Sequence, residues 1–535
     1  MKQIVKFLIR FRAIVLLTMV GWLAGGLFLF LRLDIEAYPD PAPPLVEVIT
    51  QNPAWSAEEM ERQITVPIET TLFGIPRIQY VRSISLFGLS DVKVYFNYSS
   101  DYFQDRQEVI NRLQFVTMPQ GILPQLSPWS PVGEIYRYQV TGKGYSLNEL
   151  KATQDWLVRR ELKQVPGIID ITSFGGTTKQ YQAEVDPRKL LQFSVTLAQL
   201  ENAVAAGNAN AGGNYLTVGS QSVNVRGLGL FRTLEDMQNV VIAERNGVPV
   251  FLRDVAEVHE GFQPRLGKVG MDDSPDIAEG IVLLQRGEQS LPALRTLRAK
   301  IARLSNGLLP RGMKLNTIYD RTDLIQITTD TVRDVVLLGL VLVTLLLLIV
   351  LGDLRISLIA ALSIPLSLLF AFVMMVLTHQ SANLISVGAI DFGILVDAAV
   401  IDLEHIHRRL RTRGPHEQVF EVIAEAMAEA SRPVFFSVAI ILVAFIPLFT
   451  MTGVPGRIFA PMSITYGYAL IGGRMFALFL APVLASFGGE QARGRGGGET
   501  RPIRWLRYHY ERLLPYVLEH RLRMIGIAGI LAIAT

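Results

Sequence analysis

Apolar residues along this chain gather in long blocks. Residues 13–32 form the first, a mostly amphiphilic stretch of about 300 residues follows, and further runs lie at 335–352, 357–378, 385–404, 434–452 and 462–486, with another opening near Met524. A bilayer core takes roughly 20 apolar residues per helix. The pattern therefore predicts one transmembrane helix, a large water-exposed domain, five further transmembrane helices and the start of a seventh. The first run is long for the apolar part of a signal peptide, and no small-x-small cleavage pattern precedes IEAYPDPAPP, so an uncleaved anchor is expected. This divides the chain into 1–32, an α/β region at 33–334, helices 2–6 at 335–487, a linker with an amphipathic helix at 488–520, and 521–535. The Gly/Arg-rich stretch at 488–501 has the composition of a flexible linker.

The long middle region changes period. LVEVIT (45–50) is strand-like, and Ser56 with Glu59 forms a capping box opening a helix to about Phe73. Residues 78–86 and 89–98 read as strands around a turn at Gly88, and a helix is expected near 103–117. The pattern then returns: YRYQVTG, a Ser146/Glu149 capping box with a helix to about Gln164, the strands IIDITSF and KQYQAEVD, and a further cap at Thr196 with Gln199. Repeated strand–helix–strand–strand units predict split-βαβ, ferredoxin-like subdomains, with helices covering one face of a small antiparallel sheet.

Composition narrows the function. Half of the 535 residues are apolar, and Lys+Arg exceed Asp+Glu by only three (51 against 48), too little to indicate a nucleic-acid partner. The absence of cysteine excludes disulfides, thiolate metal sites and cysteine nucleophiles. With no phosphate-cradling loop, HExxH or nucleophile elbow, an enzyme is not expected, nor is a cofactor. Basic residues set the orientation. Lys2, Lys6, Arg10 and Arg12, then Arg408, Arg409, Arg411 and Arg413, then Arg493, Arg495, Arg501, Arg504 and Arg507 fall on one side if each run crosses once. That side is expected to be cytoplasmic, which puts 33–334 in the periplasm of a Gram-negative cell.

The candidate chemistry lies in the fourth run, which holds Asp391, Asp397, Asp402 and Glu404. An acid at a helix centre costs roughly 2.5–3.5 kcal/mol on insertion scales. At about 100° per residue, Asp397 and Glu404 are nearly eclipsed, and Asp391 and Asp402 share a second face. Two acidic faces require protein or water beside them. The functional reading is a proton relay of Asp391, Asp397 and Glu404, because burial raises a carboxyl pKa towards physiological pH. The structural alternative is pairing with basic residues, for which Arg474 in the sixth run is an in-chain candidate. Asp402, close to the basic end, is expected to be an ordinary solvated acid. His405 and His407, two apart on a helix, do not share a face and are expected to be interfacial residues.

At this run the chain resembles a known family. The order of elements is similar to the first half of resistance-nodulation-division (RND) efflux transporters, and AIDFGILVDAAVI…E resembles the fourth-span signature of their heavy-metal efflux branch. LGDLRISLIAALSIPLSLL, LAPVLASF and SFGGTTKQYQAEVDPRKL agree with the family as well. The resemblance implies an RND permease half: proton-driven export of metal cations, a homotrimer, a periplasmic adaptor (membrane fusion protein), an outer-membrane channel and an inner-membrane location. It also implies that Asp391 and Asp397 form the core of proton coupling, with Glu404 as the third acid. The drug-exporting branch usually has two adjacent aspartates, whereas Ala398 follows Asp397 here. Asp402, His405, His407 and Arg474 depart from the branch. Family members are about twice as long, so a second module, with a tenth-span lysine and the methionine cluster of copper and silver pumps, is expected to lie outside this chain. No residues present form a convincing metal site; His259 is the clearest histidine of the outward region. Export of amphiphilic organics and a non-transporting fragment remain as competing readings.

Overall fold

A computed structural model describes residues 2–30, 36, 39–128, 133–245, 247–265, 267–388, 392–414, 417–488 and 501–534. The chain forms two compact units, Met1–Val132 with Arg321–Thr535, and Gly133–Asp320.

The first unit begins its α/β part with β1 (Leu45–Gln51), a helix at 57–72, β2 (Ile78–Leu86), β3 (Leu89–Phe96), a helix Tyr102–Leu113 and β4 (Gln125–Leu126). The sheet order is β2-β3-β1-β4 with antiparallel pairs, the arrangement of a split βαβ fold. The expected capping box is present: Glu59 N donates to Ser56 Oγ, and the Glu59 carboxylate accepts from Ser56 N. Met60, Ile64, Ile68 and Leu72 recur every fourth residue and bury one helix face against Val46, Val48, Val92 and Val94. The second helix stops at Leu113, short of the expected 117, ahead of a segment interrupted by Pro119, Gly121 and Pro124.

The second unit repeats the plan. It has β5 (Glu134–Gly142), a helix at 147–162 and β6 (Ile168–Gly175); an insertion carries β7 (Lys179–Val185), β8 (Ala211–Val218), β9 (Gln221–Gly227), β10 (Val241–Arg245), β11 (Val248–Phe251) and β12 (Ala256–Phe262). Then come β13 (Ala278–Leu284), a helix at 290–308 and β14 (Met313–Asp320). The sheet order β14-β5-β13-β6 is the same topology as the first, with the insertion placed between its second and third strands. The first helix of each module also contains a π turn, Glu61–Thr65 in one and Gln154–Val158 in the other. Gly175 and Gly176 both have φ of 63°, so the SFGG motif makes a glycine turn ahead of β7. The insertion has its own core around Leu200, Leu252, Val255 and Val258, while every residue of the β8–β9 hairpin is exposed.

Among the described residues five helices are long and apolar enough to cross a membrane: Arg12–Phe30, Arg321–Val350, Leu354–Leu377, Val419–Phe449 and Gly453–Phe487. The expected fourth span is not among them. It forms Leu384–Gly388 and Phe392–Arg411 on either side of 389–391, which lie outside the described residues, and its acids and terminal arginines keep the second piece from being an apolar run. The second span begins earlier than its apolar block, because Arg321–Leu351 is one continuous helix. Leu354–Leu377 forms the centre of the bundle: Ile364, Leu368, Ala371 and Met375 pack with Leu395, Leu403, Tyr466 and Leu470.

Two positions in the second module lead to measurable outcomes. Gly280 faces Tyr138 across β13 and β5, and a Cβ there would stand 2.3 Å from the ring, whose hydroxyl donates to Gln154 Oε1 at 2.9 Å. Gly280→Ala is expected to destabilise this module by about 1–3 kcal/mol through overpacking, read as faster hydrogen exchange of the β5 and β13 amides. Burial opposes ionisation of Asp170, but the Ile171 amide and the Arg159 and Lys163 side chains outweigh it and hold its pKa below the usual carboxylate range. An acid whose folded pKa is depressed contributes stability above its unfolded pKa and loses it as pH falls through the folded value. Asp170→Asn should therefore flatten the acid limb of the module's stability profile, measured by the same exchange between neutral and acidic pH.

Candidate functional site

Helix Phe392–Arg411 has two distinct faces. Leu395, Ala398, Ala399, Asp402, Leu403, Ile406 and Leu410 are buried, at the spacing of a core-facing stripe. Asp397, Ile401, Glu404 and Arg408 form the exposed stripe opposite. At about 100° per residue, Asp397 and Glu404 point within roughly 20° of one another, and Asp402 is turned about 140–160° away from both. The expected eclipsing of Asp397 and Glu404 is therefore realised. Asp391 lies outside the described residues, so its face-sharing with Asp402 does too.

Asp402 corrects the sequence reading. It is not a solvated acid: its side chain is 0% exposed, and Arg474, 11% exposed, donates through Nη1 to its Oδ2 at 2.6 Å. Proximity to the basic end of the helix suggested water, but the residue's phase on the helix decides, and that phase turns it into the bundle. The other guanidinium nitrogen of Arg474, Nη2, donates to the Ser431 carbonyl at 3.2 Å, on helix Val419–Ala444. Asp402 Oδ1 is buried with no hydrogen-bond partner among the described residues. Arg474 was a candidate partner for an acid of this helix, and the acid it takes is Asp402.

On the open side, Glu404 lines a groove of about 420 Å³ between this helix and Val419–Ala444, with Ile401, His405, Arg408, Glu429 and Val434. His405 Nε2 lies 3.0 Å from Glu429 Oε2, and Arg409 pairs with the same carboxylate. His407 is half-buried and takes a different direction, consistent with the two histidines not sharing a face. Neither Asp397 nor Glu404 forms an ion pair among the described residues. In the second α/β module His259 stands 3.8 Å from Glu184, and among the described residues no three His, Asp or Glu side chains are arranged to hold a metal ion.

The two ends of the bundle are also fixed. Lys2 bonds Glu425 at 2.6 Å and Lys6 pairs with Glu421, while Val5 and Ile9 pack with Ile406, Leu410 and Val422. The basic N-terminus and the arginines at 408–413 therefore share one end. At the other, Arg457 Nη2 donates to the Tyr98 carbonyl at 2.7 Å and Glu36 N to the Ala382 carbonyl at 2.8 Å, tying the first α/β module to the bundle.

An apolar multi-helix bundle with a buried ion pair, acids on an open helix face and two split-βαβ modules describes a multi-pass membrane protein of the transporter class. The chain belongs to the AcrB/AcrD/AcrF family, which matches residues 4–535. It is 35% identical to the cation efflux system protein CzcA of Alcaligenes sp. (strain CT14), over 99% of this chain and 51% of that protein. It is 33% identical to the cation efflux system protein CusA of Escherichia coli (strain K12), over 87% of this chain and 46% of that protein. A crystal structure of a heavy metal efflux pump superposes with a TM-score of 0.89 at 37% identity, over 98% of this chain and 51% of that one. The chain thus spans about half the length of these relatives. The RND resemblance is borne out, as is its fit to one half of a permease.

Separating the buried pair has a direct consequence. Asp402→Asn and Arg474→Met each strand the remaining partner, at a cost of about 3–5 kcal/mol, whereas removing both into apolar residues of similar volume is close to neutral. Each single variant should therefore lower the yield of inserted, monodisperse protein, and Asp402→Leu with Arg474→Met should recover most of it, read by size-exclusion chromatography in detergent.

Proposed function

We propose that this chain is the N-terminal half of a proton-driven permease that exports heavy-metal cations. The observation that carries the reading is the division of helix Phe392–Arg411: Asp402 is neutralised inside the bundle, while Asp397 and Glu404 sit together on the open face without a cation partner among the described residues. Acids so placed are free to exchange protons. Each protonation removes a charge from the helix face and changes what that face can pack against. A transmembrane potential adds about 2.3 kcal/mol per charge per 100 mV, enough to drive a cycle whose uptake and release face opposite sides. Asp397 and Glu404 serve as relay acids. Asp391 joins them on the strength of the motif AIDFGILVD.

The metal is cargo, and the names of the similar proteins, a cation efflux system and a heavy metal efflux pump, support that substrate class. The basic end of the bundle faces the cytoplasm of the inner membrane, and the α/β modules face the periplasm. A homotrimer that docks a periplasmic adaptor and an outer-membrane channel is consistent with the β8–β9 hairpin, which exposes Tyr215, Leu216, Val218 and Val223 and offers them to another chain.

In metal-sensitive cells expressing the whole gene, Asp391→Asn and Asp397→Asn are each expected to abolish metal tolerance with normal membrane insertion, and Glu404→Gln to weaken it. Proton flux on metal addition, followed with a pH dye in everted vesicles, should disappear in parallel. Full export by Asp397→Asn would remove that residue from the relay, and a gain in drug tolerance without metal tolerance would replace the substrate class with amphiphilic organics.

A further inference from the structure

The relay reading leaves the Asp402–Arg474 pair unused. We propose that this pair is a fixed clamp, with Arg474 a positioning residue that sets the rotation of helix Phe392–Arg411 and so holds Asp397 and Glu404 on its open face. The functional meaning of the clamp rests on the relay reading; its geometry does not.

Three helices meet at the one guanidinium. The stem of Arg474 comes from Gly453–Gly488, Nη1 reaches Asp402 at 2.6 Å, and Nη2 reaches the Ser431 carbonyl at 3.2 Å. The two residues before Arg474 allow the approach. A Cβ on Gly473 would stand 3.1 Å from the Leu395 carbonyl oxygen, and one on Gly472 would stand 2.7 Å from Phe370 Cβ, so glycine at both lets this helix close on its neighbours.

Apolar side chains in the same place would fill the volume, but they tolerate repacking. A charge pair does not, because turning the helix by one residue strands a carboxylate and a guanidinium away from water. Since Asp402 points about 140–160° from Asp397 and Glu404, holding the first inward holds the other two outward. Glu404, two residues beyond the clamp, is thereby kept at the groove it lines with His405 and Glu429.

Residues 1–535 contain no cysteine, so a chain of these residues carries only the introduced thiols. His405 and Glu429 meet at 3.0 Å between the clamped helix and its neighbour, which makes His405→Cys with Glu429→Cys a reporter of helix rotation. In membranes from cells expressing the full chain, a short bis-maleimide should join the two thiols. The cross-linked fraction, counted per inserted chain, is expected to fall severalfold with Asp402→Asn or Arg474→Met and to be largely kept with Arg474→Lys. A parental fraction in both neutral variants overturns the clamp, and so does a lysine variant as low as the methionine one. If the neutral single variants fail to insert, Asp402→Leu with Arg474→Met leaves no stranded charge: a lowered fraction there supports the clamp, and a parental fraction overturns it. The cross-link is read without transport, so a failure of proton coupling at Asp397 is distinguishable from a failure of the clamp.

Discussion

An arginine inside an apolar helix bundle needs an anion within hydrogen-bonding reach, because no water is there to solvate it. Arg474 finds Asp402, and three helices meet at its guanidinium. Two glycines bring the arginine's helix close, the Ser431 carbonyl takes its second nitrogen, and the acid-bearing helix is left with one packed face and one open face. The chemistry proposed for Asp397 and Glu404 depends on this separation. A helix with all its acids on one side would either bury them all or release them all.

The two α/β modules solve a different problem with local means. Each is a small antiparallel sheet covered by helices, and each opens its first helix with a Ser–x–x–Glu box that satisfies amides left without partners at a helix start. The insertion between the second and third strands of the second module leaves its sheet order intact, since a β-hairpin or a longer excursion can leave and return at one edge. Tyr138 shows how the interior is specified: glycine opposite it admits the ring, and Gln154 and Ser173 form a short polar chain from its hydroxyl.

Elements governed by neighbouring residues were legible in the sequence. The strands at 45–50 and 78–86, the turn at Gly88, and the capping boxes at Ser56, Ser146 and Thr196 all follow from short-range rules, and all are present. The early end of helix Tyr102–Leu113 was missed because apolar spacing continues past the point where proline and glycine stop the backbone. The phase of the acid-bearing helix was also legible, since Asp397 and Glu404 are placed by helical geometry alone.

What the sequence determined by itself was therefore the inventory: apolar blocks long enough for a bilayer, a repeated split-βαβ pattern, and acids at stated angles on one helix. Tertiary structure decided which of those angles faces inward. Asp402 looked solvated because charge near a helix end usually is, and only the packing of three helices turned it into the partner of a residue 72 positions away. Periodicity fixes the angle between two side chains on a helix, but the absolute rotation of that helix is set by whatever packs against it.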